Sequence, residues 1–421
     1  MSRNFDIPLF YRSPVISVLK EARRLMDRYK KDLSPSILDF GVLQIKLGRH
    51  FGFCFGVENA IDIAYRALAE NPASNVYLLS EMIHNPHVNQ DLKDRGVRFI
   101  MRPDGQGLVD LDQLRDTDVV IIPAFGTTTG MLARLQAGPA RLRVYNTTCP
   151  FVEKVWNRSA QIGKQGYSVI IHGRHNHEET RATFSHADES APCLVVRDMA
   201  EAEFLVRFIE GQEDLERFQQ VFQGRYSEDF DPQTSLQRIG VVNQTTMLAS
   251  ETRAIAALLE KCVQEHYGSD AFADTRDTLC YATNENQDAT LALMESGADL
   301  AIVVGGYNSS NTSHLVELLE QKMPAYYIKD ADEIEDRTRI QHLDIHSGQL
   351  KTSQNWLPDP GPVRIVLTSG ASCPDALVDA VILRVCDLFG VADQLESALR
   401  PYRQQIQSAE TDALESAPQP E

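Results

Sequence analysis

No stretch of this chain reaches the roughly 18 uninterrupted apolar residues that a membrane-spanning helix requires, so the sequence holds no segment expected to cross a bilayer. The first residues also lack the apolar run of a secretory leader, and Asp6 and Glu21 stand among the basic residues there. Basic residues still outnumber acidic ones in that region, which leaves an organellar leader open. The expected location is therefore the cytoplasm, or the plastid stroma in a plastid-bearing source. Positive charge is scarce: 41 Lys and Arg face 59 Asp and Glu, a formal net charge of −18. That field repels nucleic acid and anionic membrane surfaces, and neither is expected as a partner. Paired cysteines are missing too. The seven thiols are odd in number and scattered from Cys54 to Cys386 without paired spacing, which argues against a disulfide framework and for a reducing compartment. Phosphate-binding lysine loops of the Gly-x-x-x-x-Gly-Lys-Ser/Thr kind are absent as well.

What is present is core-forming material. Hydrophobic residues make up 43% and charged residues 24% of 421 residues, enough for about two to four lobes. Short β-branched runs repeatedly end in a polar turn and give way to a helical pattern. Val119–Pro123 runs into Ala124-Phe125-Gly126-Thr127-Thr128, Val169–Ile171 into His172-Gly173, and Ile239–Val242 into Asn243-Gln244-Thr245-Thr246. Leu300–Val304 runs into Gly305-Gly306-Tyr307-Asn308-Ser309-Ser310-Asn311, and Val363–Leu367 into Thr368-Ser369-Gly370-Ala371-Ser372. Continuous apolar strands alternating with helices predict an α/β fold with mostly parallel sheets, whose ligands bind at the carboxyl ends of the strands. Residues 1–46 read as an added segment with an amphipathic helix that opens at Ser13-Pro14. Residues 201–238 interrupt the rhythm, but the i, i+4 pairs Phe204/Phe208 and Phe218/Phe222 predict a helical insertion packed on the body. Ser408–Glu421, acidic and small, reads as disordered.

The chemistry-bearing residues cluster at the strand ends. Cys54, in Gly-Phe-Cys-Phe-Gly-Val, Cys149, in Asn-Thr-Thr-Cys-Pro, and Cys280, after Asp-Thr-Leu, each precede a helical pattern. Free N–H groups and the helix dipole favour a thiolate there. Cys262 and Cys386 fall inside amphipathic helices, Cys193 in a loop and Cys373 beside a turn. For each of the first three the alternative is a buried small hydrophobe; three equivalent junctions tip the balance toward one shared site. His177 and Glu179 form a His-x-Glu pair suited to metal ligation or to proton transfer, with a solvated first-turn acid as the plain alternative. Thr245, Ser309, Asn311 and Ser372 sit at helix starts, where capping and anion binding use the same N–H groups.

Taken together, the segments 52–57, 83–86 (Ile-His-Asn-Pro), 147–150, 177–180, 243–247, 308–312 and 368–372 resemble the LytB (IspH) family of 4-hydroxy-3-methylbut-2-enyl diphosphate reductases, most closely its cyanobacterial and plastid branch. The match runs from about Leu47 to Leu388. The resemblance implies three pseudo-equivalent α/β lobes (47–148, 149–279 and 280–392) around a central cavity, with 393–421 as a partly disordered tail. It implies one [4Fe–4S] cluster per chain on Cys54, Cys149 and Cys280, with the fourth iron open to the substrate's hydroxyl. His84, His177, Ser309, Ser310, Asn311 and Ser372 would hold the diphosphate. Glu179 would give a proton to the departing hydroxyl and Thr245 would orient it. Electrons would come singly from a ferredoxin or flavodoxin, and the products would be isopentenyl and dimethylallyl diphosphate. Phe125 departs from the pattern, because many bacterial members carry a histidine there; Thr127 or Thr128 would supply that contact, or it is lost. Two other readings compete: a non-redox iron–sulfur dehydratase, and a structural protein whose three thiols and His177 close a zinc site.

Overall fold

The computed structural model describes residues 5, 7–137, 142–274, 278–358 and 361–415. In chain order, helix α1 (Pro14–Met26) leads to strands β1 (Ser36–Asp39) and β2 (Leu43–Leu47). There follow α2 (Phe55–Glu70), β3 (Val76–Leu78), α3 (Pro86–Asp94), β4 (Arg98–Phe99), β5 (Val119–Ile122), α4 (Thr129–Ala137) and β6 (Arg143–Asn146). The middle of the chain forms α5 (Pro150–Lys164), β7 (Ser168–His172), α6 (Glu178–Asp188), β8 (Cys193–Val196), α7 (Met199–Ile209), α8 (Leu215–Phe222), α9 (Pro232–Ser235), β9 (Ile239–Asn243) and α10 (Ala249–Tyr267). Next come α11 (Tyr281–Glu295), β10 (Leu300–Val304), α12 (Ser310–Leu319), β11 (Ala325–Ile328) and the hairpin of β12 (Arg339–Asp344) and β13 (Gln349–Gln354). The chain closes with β14 (Val363–Ser369), α13 (Asp375–Phe389) and α14 (Leu395–Glu415). Short 3-10 turns fill several connections.

Two compact units emerge. Phe55–Thr283, with Phe5, forms one; Asp6–Cys54 and Asn284–Glu421 form the other. The first holds two sheets, of order β4-β3-β5-β6 and β8-β7-β9, in which every pair is parallel. The second holds one seven-stranded sheet, of order β1-β2-β14-β10-β11-β12-β13, whose four central strands are parallel. Every residue of β5, β7, β9 and β10 is buried, as strands covered by helices on both faces require. The sheets share one wiring. Strands run in the order β2-β14-β10-β11 in one sheet and β6-β5-β3-β4 in another; in the third, a parallel bridge at Phe272 takes the edge beside β9-β7-β8. In each the third strand comes first in the chain, the fourth next, and the second after that. The first-placed segment of each, β2, β6 or the Phe272 bridge, leads into a cysteine. The repeat closes on itself, because the N-terminal β2 pairs with β14 from the far end of the chain, with β1 added antiparallel outside it.

The first residues are thus part of a sheet. Ser13 caps α1, its Oγ accepting from the Ile16 N–H at 3.0 Å, and Val15, Ile16 and Leu19 are buried in a core shared with α13 and with Leu399 of α14. The segment after β8 is helical, and Phe204, Phe218, Phe222 and Phe230 are buried beside Ile170, Leu194 and Ile239 of the neighbouring strands. Helix α14 continues through Ser408 to Glu415, where low hydrophobicity had predicted irregular chain; residues 416–421 lie outside the described residues. Cys193, expected in a loop, is the fully buried first residue of β8.

Candidate active site

The three cysteines occupy one kind of position. Cys54 directly precedes α2, Cys149 is the N-cap of α5 and Cys280 directly precedes α11. Each backbone N–H donates to a carbonyl two residues past the end of the sheet's second strand, or of its counterpart β9. Cys54 donates to Ala371 after β14 at 3.1 Å, Cys149 to Ala124 after β5 at 2.9 Å, and Cys280 to Thr245 after β9 at 3.3 Å. These cysteines therefore stand at the carboxyl ends of parallel strands, at or just before helix N-termini. The other four thiols differ in kind. Burial pushes Cys193 and Cys386 up to about 12 and Cys262 up to about 11, and it raises Cys373 as well. Thiols that resist ionisation this strongly are poor ligands. Cys54, Cys149 and Cys280 instead each stand at a helix start, the kind of position that suits a thiolate ligand. Among the described residues no three His, Cys, Asp or Glu side chains group to hold a single metal ion.

Within the first unit, Glu179, Thr245 and Cys280 are linked directly. Glu179 is 2% exposed; one carboxyl oxygen accepts from the Thr245 N–H at 2.5 Å and the other from the Thr245 hydroxyl at 3.0 Å. Thr245 in turn accepts the Cys280 N–H. Burial raises the Glu179 pKa to about 7, against the pull of the Thr245 hydrogen bonds. His177 caps α6, its Nδ1 accepting from the Glu179 N–H at 3.2 Å. Its proton therefore rests on Nε2, which lies 3.1 Å from His84 Nε2. Burial and the neighbouring His84 hold His177 well below the usual imidazole range, so at neutral pH it is a neutral donor. His84, His177, Glu179 and Thr245 thus come together in one unit. The sequence showed the His-x-Glu spacing but not the capping role.

In the second unit the turn after β10 and the turn after β14 meet. Ser309 caps α12, its Oγ accepting from the Thr312 N–H at 3.2 Å and the Thr312 hydroxyl at 2.9 Å, which leaves its own proton to donate. Asn311 Oδ1 accepts from the Ala371 N–H at 3.0 Å, beside Ser372, while the buried Asn311 Nδ2 has no partner among the described residues. Gly305 and Gly370 admit this approach: a Cβ at either would meet Thr312 Oγ1, at 2.5 and 2.0 Å. Tyr307 anchors the same turn by donating to the buried Glu333, and Tyr327 donates to the Gly306 carbonyl. Of the four residues expected at helix starts, only Ser309 caps. Thr245 and Ser372 lie in turns ahead of α10 and α13, whose N-caps are Leu248 and Pro374, and Asn311 is already inside α12.

The LytB protein family model matches residues 45–386 of the chain. The chain belongs to the LytB family. A 4-hydroxy-3-methylbut-2-enyl diphosphate reductase of Cyanothece sp. is 42% identical over 82% of this chain and 84% of its own length. One of Synechococcus sp. is 41% identical over 86% of this chain and 92% of its own. The solved E-1-hydroxy-2-methyl-but-2-enyl-4-diphosphate reductase of Plasmodium falciparum, 21% identical, shares the fold with a TM-score of 0.58, covering 82% of this chain and 88% of that one.

In this LytB chain Phe125 does not leave a gap. Its ring stacks on His84, with centroids 4.2 Å apart at 23°, and stands edge-on to His177 at 5.9 Å. Thr128 Oγ1 accepts from the Met131 N–H at 3.2 Å, and the Thr127 carbonyl lies 3.2 Å from His186 Nε2. Both are engaged in holding the turn. Three residues not singled out by the sequence also build the site. Thr278 donates its hydroxyl to the Asn243 side chain and accepts the Asn243 N–H at 3.2 Å, fastening the Cys280 segment to the turn after β9. Gln244 Oε1 accepts from the Thr180 hydroxyl at 3.0 Å and the Arg174 N–H at 3.2 Å, tying that turn to the start of α6. Gly126, at φ +76°, would place a Cβ 2.4 Å from the Trp156 ring. Gly126→Ala is expected to cost about 2–4 kcal/mol through backbone strain and overpacking. Anaerobic urea unfolding followed by circular dichroism measures the loss.

Proposed function

We propose that this chain converts 4-hydroxy-3-methylbut-2-enyl diphosphate to isopentenyl and dimethylallyl diphosphate by reductive dehydroxylation, using one [4Fe–4S] cluster on Cys54, Cys149 and Cys280. Family membership supports the reaction, and the donor set supports the cluster. When bound, the cluster supplies electrons one at a time and a Lewis-acidic iron for the leaving oxygen. The balance is two electrons and two protons in, one water out. The rest is the work of side chains. Glu179 provides the proton that turns the departing hydroxyl into water, and Thr245 holds that acid in place through both carboxyl oxygens. The observation that carries this reading is the buried Glu179 carboxyl, which keeps its proton near neutral pH; an incoming diphosphate strengthens that by like-charge repulsion.

His84, His177, Ser309, Ser310, Asn311 and Ser372 hold the diphosphate with N–H and O–H donors and the α12 N-terminus in place of a lysine clamp. Ser309→Ala is expected to raise KM about tenfold, the worth of one hydrogen bond to a charged group, with iron content and kcat little changed; steady-state kinetics read it. A ferredoxin or flavodoxin fits the need for a one-electron donor. The decisive assay is anaerobic turnover with and without dithionite. Reduction is expected only with the reductant, and product formation without it would favour the dehydratase reading.

A further inference from the structure

Helix α5, which Cys149 opens, carries an unpaired basic stripe. Pro150, Glu153, Lys154, Asn157, Arg158, Gln161 and Lys164 recur at i, i+3 and i+4 along it, so one face holds three cations and one carboxylate. Most of this face lines a cleft of about 520 Å³ whose opposite wall is Thr278, two residues ahead of Cys280. Lys154 and Lys164 are exposed and form no ion pair among the described residues. Among the described residues Arg158 donates only to Gln161 Oε1, at 3.2 Å, and its Nε has no partner. Beside the cleft lies an aromatic pair: Phe151 and Tyr281 pack with centroids 4.9 Å apart, and Tyr281 is 36% exposed. Tyr281 directly follows Cys280, and Phe151 stands two residues after Cys149. An aromatic pair with a basic stripe beside it therefore adjoins the two segments that present these cysteines. On a chain of net charge −18, that is a local reversal of sign.

We propose that this face of α5, with the Phe151–Tyr281 pair, is where an acidic one-electron carrier protein docks to deliver electrons. The inference rests on the reductase reading above. A long-range field that repels acidic proteins makes a local basic stripe the feature that selects and orients one. Electron-transfer encounters need only a small, weakly held interface, which a single helix face with two rings can supply. Each docked carrier is oxidised by one electron. Two successive encounters provide the pair that, with two protons, releases the substrate hydroxyl as water.

The test compares two reductants on the full-length, cluster-loaded chain and its Lys154→Glu/Arg158→Glu double variant. With reduced plant-type [2Fe–2S] ferredoxin at low salt, the variant is expected to lose about tenfold or more in kcat/KM for the carrier. The fall in rate with rising salt should flatten with it. With dithionite and methyl viologen, which need no docking face, turnover should stay within twofold, and iron content should be unchanged. A Lys154→Gln/Arg158→Gln variant should fall between the two. Unaltered ferredoxin kinetics and salt dependence would overturn the docking face alone. Equal losses with both reductants would overturn it too, by showing that the stripe serves the fold of α5. A parent chain that takes electrons from neither source fails as a reductase, and the docking proposal falls with that reading.

Discussion

Replacing Cys149 by serine is expected to remove iron and sulfide from the anaerobically purified chain and to reduce substrate turnover to background. Serine keeps the backbone and the volume, and nothing about the Cys149 N–H bond to Ala124 changes, so α5 still forms. What disappears is a thiolate, and cluster assembly needs each one. Cys54→Ser and Cys280→Ser should behave alike. Cys193→Ala supplies the contrast: that thiol lies wholly inside the apolar core of the middle sheet and is hard to ionise. It should retain full iron content while losing some stability. Iron and sulfide analysis of the four variants, beside their far-ultraviolet circular dichroism, separates ligand loss from unfolding. A Cys149→Ser chain that keeps its iron would remove that residue from the cluster.

Glu179→Gln should leave the cluster and KM nearly intact and lower kcat by about 10²–10⁴-fold, the usual worth of a positioned acid. Glutamine preserves the geometry, because its carbonyl still accepts from the Thr245 N–H and its amide can donate to the Thr245 hydroxyl. It cannot give up a proton. The pH profile sharpens the expectation. With a pKa of about 7, the parent carboxyl is protonated below neutrality and ionised above it, so kcat should fall as pH rises through about 7, and this limb should vanish in the variant. Stability falls over the same rise in pH. The folded value lies above the usual 4.5, so the unfolded chain gains from ionising Glu179 between pH 4.5 and about 7 while the folded chain does not. Above that window the buried charge costs on the order of 3 kcal/mol. Glu179→Gln should therefore be more stable than the parent at pH 8, measured by urea unfolding. Such a gain, joined to a loss of turnover, is the signature of a strained catalytic group.

Much of this site is legible from sequence because its parts are local. A β-branched run, a polar turn and a helix start are neighbours in the chain, so Cys54, Cys149, Cys280, His177 and Thr245 announce themselves by position. What could not be read is set by distant pairing. The register of Leu43–Leu47 against residues 363–367 places the first segment in the same sheet as β14, and nothing in the first fifty residues encodes that partner. The role of Thr278 depends on Asn243, which lies 35 residues earlier, and that of Phe125 on the His84 ring beneath it. His177 looked like a ligand or a relay by its spacing to Glu179; only the backbone geometry at the start of α6 makes it a cap whose proton is fixed on Nε2. Helix α14 outlasts its composition because its early residues Leu395 and Leu399 join a core that includes α13, so the helix is already nucleated before the acidic, small-residue stretch begins.

Mössbauer spectroscopy of the chain enriched in iron-57 and purified without oxygen tests the central claim most directly, recorded with and without 4-hydroxy-3-methylbut-2-enyl diphosphate. About four irons per chain are expected, one of them distinct from the rest and altered when the substrate is added. Bound zinc in place of iron, or a set of irons that all ignore the substrate, would contradict a cluster held by three thiolates with one iron open.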